Sequence, residues 1–421
     1  MFFGDAADQI SKTIKPDQFD PNYIYIGLEN IGQKTLHLQS YGKANQVTSN
    51  KKLFKKGDIL LGKLRPYFRK VILSEYEGIC STDIWIIRPK EGIDRNFLFY
   101  WCADWSFINF INTASEGTRM PRAKWEIAQK HEIKSHSSTQ QIAIGKILGK
   151  LDEKIKKNFS SIETLEKMGS SIFQSWFIDF DSSKSVDVLS ENKLFDKRTN
   201  IFPQSFQRKN ALEMPTGWDL GQLEDLLELK RESITPSDYS NELFHHYSIP
   251  AFDENMIPSL ELGKSILSDK YLVSEEVFLI SKLNPRIQRV WLPSKNNNFQ
   301  KICSTEFLVC KPKKSIGKCF SYFLAKSEII RRKMEDLASG TSNSHQRVSP
   351  DDFMKLSIVI PPQNLIDLFN NKFSCFLEKI TLMRNENVTL AECRDTLLPK
   401  LLHGEIEITN ANEIIQNICT E

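Results

Sequence analysis

The chain has 421 residues, of which 40% are hydrophobic and 26% charged, and a formal net charge of +3. That describes a soluble globular protein with room for two or three cores of ordinary size, and it excludes a strongly basic molecule. No run approaches 18 uninterrupted apolar residues, and Met1-Phe2-Phe3-Gly4-Asp5 is not a basic region followed by an apolar one. A membrane is therefore not expected as a partner, and the localisation read from the chain is cytoplasmic.

Residues 1–138 mix short β-rich runs with turns. Ile59-Leu60-Leu61 and Ile84-Trp85-Ile86-Ile87 read as strands, bounded by Gly57-Asp58 and Arg88-Pro89. Phe97 to Ile111 reads as a helix on an apolar face. Residues 1–139 hold 20 Lys and Arg against 15 Asp and Glu, a local excess of about five positive charges that suits a polyanion.

From Gln140 to Phe177 the pattern becomes one long helix. Leu148, Leu151, Ile155, Ile162, Leu165, Ile172 and Trp176 follow alternating steps of three and four, with Asn158 and Gly169 as interruptions. Phe180 to Pro215 is polar and aperiodic and reads as a linker. Trp218 opens a second module with strands at Val277-Phe278-Leu279-Ile280 and Phe307-Leu308-Val309-Cys310, and a helix at Phe320 to Met334. A second long helix follows, striped by Phe373, Phe376, Ile380, Met383, Leu390, Leu397 and Leu401, with Asn387 and Arg394 interrupting. Each stripe needs a partner, and the other helix is the mate of equal length. A full module separates them, which makes the pairing antiparallel. About 35 residues at roughly 1.5 Å each gives a helix near 50 Å long.

The second half repeats the first. Cys80-Ser81-Thr82-Asp83 returns as Cys303-Ser304-Thr305-Glu306, and Gly117-Thr118 returns as Gly340-Thr341 at the same interval. A module presented twice usually measures or bridges something with two halves. The eight cysteines form no CxxC pair, and Cys80 and Cys303 sit in apolar runs as small buried hydrophobes. His245-His246 is expected on a strand edge or in a loop rather than around a metal.

Catalytic signatures are missing: no glycine-rich phosphate loop, no HExxH and no GxSxG. Asn284-Pro285 lacks the second proline and the aromatic ring of an amino-methyltransferase loop, and reads as a turn. The positive signal is basic side chains among aromatics and turns. Lys63, Arg65, Tyr67, Arg69 and Lys70 surround one proline turn, and Lys282, Asn284, Arg286 and Arg289 surround its counterpart. Arg119, Arg122 and Lys124 follow the first Gly-Thr pair; Ser342, Asn343, His345 and Arg347 follow the second. Arg and Lys neutralise phosphates, while Arg, Asn and Gln also read base edges. The bland alternative is a duplicated protein-interaction scaffold without DNA specificity.

These residues resemble the specificity subunit of a type I restriction-modification system, over nearly the whole chain. The most specific pieces are Lys63 to Lys70 and the two Gly-Thr loops. Ser138-Thr139-Gln140-Gln141-Ile142-Ala143 and Phe173 to Phe180 resemble the start and end of the family's central spacer helix. Met214-Pro215-Thr216-Gly217-Trp218 resembles the opening of its second recognition domain, and Leu397 to Ile406 its C-terminal signature. The resemblance implies an α/β (α+β) chain with two globular target recognition domains separated by two long antiparallel coiled-coil helices, in an internal pseudo-twofold repeat. Its boundaries would be 1–138 and 216–362 for the recognition domains, 139–180 and 363–404 for the spacer helices, 181–215 for the linker and 405–421 for the tail. It further implies a bipartite target on double-stranded DNA and no chemistry in this chain. Two modification (methyltransferase) subunits would bring S-adenosylmethionine, and two restriction subunits (ATP-dependent translocase and nuclease) would bring ATP and Mg. Pro361-Pro362 stands where the first copy has Ser137-Ser138, so the two domain-to-helix joints are expected to differ in stiffness.

Overall fold

A computed structural model describes residues 1–113, 120–181, 202–203, 205–210, 212–254, 256–294, 299–339 and 346–408. The chain divides into two compact units: Met1–Lys156 with Val388–Glu421, and Lys157–Asn387. Each unit holds one module and part of both long helices, Ser138–Phe177 and Gln363–Leu402, of 40 residues each. No helix among the described residues is long and apolar enough to cross a membrane.

The same two sheets are built in each unit. In the first, a four-stranded antiparallel sheet has the order Ala7–Ile10, Ile84–Pro89, Ile59–Gly62, Val71–Leu73. In the second, Leu227–Lys230, Phe307–Pro312, Phe278–Ser281 and Val290–Trp291 repeat that order. The expected strands fall in the middle of these sheets, where apolar runs such as Ile59-Leu60-Leu61 are buried on both faces. A five-stranded sheet accompanies each. It contains a single parallel pairing, Ile24–Ile26 with Gly78–Cys80 in one unit and Leu243–Tyr247 with Gln300–Ser304 in the other. Cys80 and Cys303 stand at equivalent ends of that pairing and are fully buried. Burial pushes the Cys80 thiol up to about 12, so it acts as a small hydrophobe. His245 lies on a strand paired on both sides rather than on an edge, since its neighbour Ser259–Leu262 covers the flank that the sequence left open.

The helix expected over Phe97 to Ile111 is two helices, Arg95–Ala103 and Trp105–Thr113. Asp104 breaks it by adopting extended backbone and accepting the Ser106 N–H at 3.0 Å. The repeat breaks at the same place. Lys318–Ala325 gives way to Glu328–Leu337, with the Ser327 hydroxyl capping Ile330 N. A continuous apolar face hid both caps from a periodicity argument.

The long helices pack against each other antiparallel inside each unit. In the second, Trp176 meets Phe369 and Phe373 with ring centroids 5.8 and 5.6 Å apart, and Asn158 Nδ2 donates to Asn387 Oδ1 at 2.8 Å. In the first, Arg394 Nη1 donates to Asp152 Oδ1 at 2.8 Å. Ten of the stripe residues are buried: Leu148, Leu151, Ile155, Ile162, Trp176, Phe373, Ile380, Leu390, Leu397 and Leu401. Leu165, Ile172, Phe376 and Met383 are half-buried. Ile144, Ile147, Phe173, Phe177, Leu365 and Phe369 are buried as well, because the helix ends also pack on the globular modules and need a wider apolar face than a coiled-coil seam. The interruptions have structural roles. A Cβ on Gly169 would come within 2.2 Å of the Phe323 ring, so the first long helix approaches its module where the side chain is smallest.

Candidate nucleic-acid interface

The strand Ile59–Gly62 delivers the chain to Lys63, and the basic loop 63–70 turns there around Pro66. Three main-chain hydrogen bonds pin that loop. Lys63 N donates to Asp83 O at 2.9 Å, Arg65 N to Pro121 O at 2.8 Å, and Ala123 N to Lys63 O at 2.9 Å. These bonds tie the basic loop to residues 121–123, which carry Arg122 of the second basic segment expected on the same face. Arg65 takes left-handed backbone (φ 51°), a conformation costing roughly 1–2 kcal/mol outside glycine, and the Pro121 bond holds it there. Tyr67 is 40% exposed, Arg122 and Lys124 are exposed, and Lys63, Arg65 and Lys70 are half-buried.

The second unit builds the same surface atom for atom along the backbone. Lys282 N donates to Glu306 O at 3.0 Å, Asn284 N to Gln346 O at 2.8 Å, and Val348 N to Lys282 O at 3.0 Å. Asn284 is again left-handed (φ 50°), where asparagine is better tolerated than arginine. Isolated bridges join Leu64 to Arg122 and Leu283 to Arg347. Arg286 and Arg347 are exposed, and Lys282 and Asn284 half-buried. Arg119, Ser342, Asn343 and His345, with both Gly-Thr pairs, lie outside the described residues.

Two expected members leave the surface. Arg69 is 1% exposed; its Nε donates to Ala103 O at 2.6 Å, and both terminal nitrogens reach Asp395 Oδ1 at 3.3 Å. The guanidinium also lies over the Trp105 ring, 5.2 Å from its centroid. Arg289 is 7% exposed and holds Asp253 through two bonds of 2.6 and 2.8 Å. Both arginines hold the fold together, because a buried guanidinium with carboxylate partners offers no face to a phosphate. Composition alone does not separate them from their exposed neighbours.

A family model for the type I restriction modification DNA specificity domain matches residues 8–167. The type I restriction enzyme MjaIX specificity subunit of Methanocaldococcus jannaschii is 25% identical over 403 residues, covering 92% of this chain and 84% of that protein. The HindI specificity subunit of Haemophilus influenzae is 24% identical over 465 residues, covering 96% and 98%. The family model matches the first module and the start of the long helix, while the two relatives align over nearly the whole chain, so the likeness to type I specificity subunits runs through both modules. A solved type I restriction-modification S subunit from M. genitalium shares its fold, at 14% identity and a TM-score of 0.50, over 96% of this chain and 95% of that one.

Carboxylates outside the basic and amide residues expected from the sequence organise the surface. Arg122 is held by Asp83 through Nε–Oδ1 and Nη2–Oδ2 contacts of 3.0 and 3.2 Å. Arg347 Nε is held by Glu306 at 3.0–3.1 Å. Both acids close the repeated tetrad, so the signal was visible as repetition and its chemistry was not. Other acids fix each module to the long helices. Asp152 accepts from Arg394 and from the Tyr100 hydroxyl at 2.7 Å. Glu166 accepts from Tyr322 and Lys326 at 2.6 Å and from Arg384 at 2.8 Å.

Proposed function

We propose that this chain is the DNA-specificity subunit of a type I restriction-modification complex, each unit reading one half of a bipartite target in double-stranded DNA. The observation that carries this reading is the duplicated loop pair. Two sequences that differ only at the third position, Lys63-Leu64-Arg65-Pro66 and Lys282-Leu283-Asn284-Pro285, are pinned by the same three backbone bonds to equivalent partner segments. What differs is the side-chain chemistry: half-buried Arg65 against Asn284, and exposed Tyr67 against Arg286. A constant frame with variable hydrogen-bonding side chains is what reading two different half-sites requires. Lys63 and Lys282, common to both, suit phosphates. The first DNA face is Lys63, Arg65, Tyr67, Lys70, Arg122 and Lys124 with Arg119; the second is Lys282, Asn284, Arg286 and Arg347 with Ser342, Asn343 and His345.

The two long helices would set the gap between half-sites and hold two modification subunits, which supply S-adenosylmethionine chemistry; restriction subunits would supply ATP-driven cleavage. The deciding experiment is methylation mapping of host DNA at single-base resolution, with and without this gene and with the partner genes intact. Loss of methylation at one split motif with a fixed gap is expected. Unchanged methylation with all partners expressed would favour a protein-binding scaffold. In the assembled complex, Arg122→Ala should weaken binding to cognate DNA and reduce the slope of log K against log salt by about one. An unchanged slope would remove Arg122 from the phosphate-contacting set.

A further inference from the structure

The repeated tetrad does the same three things in both units. Its cysteine is buried in the core. Its serine hydroxyl accepts the N–H of the acid two residues on, Asp83 or Glu306, at 3.2 Å in each case. The acid's carbonyl accepts the N–H of Lys63 or Lys282, and its carboxylate grips Arg122 or Arg347. Even the exposures agree: 24% and 48% for the Asp83 and Arg122 side chains, 26% and 49% for Glu306 and Arg347.

A carboxylate on a surface meant for DNA is a cost, because it repels phosphate. Exposed ion pairs also add little stability, about 0–1 kcal/mol. Finding the same pair twice, in the same frame, therefore asks for a reason other than folding. The geometry gives one. Each acid holds the Nε side of a guanidinium, and the far edge of the fork remains to read a guanine edge while its charge offsets neighbouring phosphates. Held this way, a long side chain loses its rotamer freedom before DNA arrives rather than during binding.

We propose that Asp83 and Glu306 are positioning residues that pre-orient Arg122 and Arg347 for the two DNA half-sites. The inference rests on the DNA-reading function proposed above. Asp83 and Glu306 should act on different half-sites, and each should accept the other's side chain, since the two copies already use aspartate and glutamate for one task.

The test uses the full complex with modification subunits. Binding is measured on a duplex carrying the mapped split target, on duplexes altered in one half-site, and on unrelated duplex DNA. Asp83→Asn should weaken cognate binding roughly ten-fold, leave unrelated DNA bound as before or slightly tighter, and relax discrimination in one half-site only. Glu306→Gln should relax the other. Asp83→Glu and Glu306→Asp should restore most of the discrimination, which a merely structural role would not predict for the amides alone. Tighter binding of Asp83→Asn to cognate and unrelated DNA alike would overturn the inference, since the carboxylate would then only repel. Unchanged discrimination would overturn it too, with the DNA-reading function intact. A wild-type complex without preference for any split site would instead overturn the DNA reading and this inference together.

Discussion

The two units share a frame and differ in how charge fastens each module to the long helices. In the first, two acids serve two arginines. Asp152 and Asp395 both pair with Arg394, and Asp395 also reaches Arg69 in the basic loop. In the second, one acid serves two cations, with Glu166 between Arg384 and Lys326. Where the first loop sends Arg69 to Ala103 O at the end of a helix, the second sends Gln288 to Ala325 O and Ser327 O, at 3.4 Å each. Backbone geometry can thus be kept through a duplication while the buried electrostatics are rebuilt around different partners. The first unit has redundancy, and the second concentrates its joint on one carboxylate.

That contrast is broken most directly at Glu166. Glu166→Ala leaves the side chains of Arg384 and Lys326, 6% and 18% exposed, without their acid. It should destabilise the second unit by about 3–5 kcal/mol. Asp152→Ala leaves Arg394 with Asp395 and should cost about 1–3 kcal/mol in the first. Hydrogen exchange on the full chain separates the two units, and equal losses would refute the redundancy. The same joint predicts an acid sensitivity. Burial raises the Glu166 pKa, but Arg384, Lys326 and the hydrogen bonds outweigh it and hold the carboxyl below its usual 4.5. Its folded value is depressed, so its contribution is complete above pH 4.5 and is lost as pH falls through the lower folded value. Glu166→Gln should flatten that loss of protection in the second unit.

A smaller difference is expected in the loops. Arg69→Ala forfeits a buried charge-assisted bond, an ion pair and the stack on Trp105, and should cost about 1.5–3 kcal/mol. Gln288→Ala removes two long neutral bonds and should cost about 0.5–1 kcal/mol. Chemical denaturation of the full chain followed by unit-specific exchange gives both values. Comparable costs would mean that the second loop is fastened by contacts other than Gln288.

How much of this was legible follows from the physics of each signal. Periodicity marks both long helices, because apolar residues at steps of three, four and seven from Leu148 to Trp176 and from Phe373 to Leu401 match a helix and neither a strand nor a loop. It misses the breaks at Asp104 and Ser327, where one capping side chain redirects a continuous apolar face. Charge marks the loops 63–70 and 282–289 but not the fate of each cation. Arg69 and Arg65 stand four residues apart in the same basic run, and only tertiary partners decide that one is buried against Asp395. Hydrogen-bond pairing of distant segments, such as Lys63 with Asp83 and Arg65 with Pro121, leaves no local mark at all.

The finest distinction between the units lies in polar residues buried between the helices themselves. Asn158 and Asn387, 5% and 1% exposed, share a bond of 2.8 Å within the second unit, and Asn158 also donates to Glu386 at 2.7 Å. A lone buried amide fixes register at a cost in stability, because any slip would strand it among apolar side chains. Asn158→Leu alone strips Asn387 Oδ1 of its donor and should cost about 1–3 kcal/mol, whereas replacing both asparagines by leucine should be close to neutral. A double-mutant cycle then reads the coupling between the amides directly. If the double replacement costs as much as the two single ones added together, the amides act independently, and register in the second unit must come from the apolar contacts of Trp176 with Phe369 and Phe373 instead.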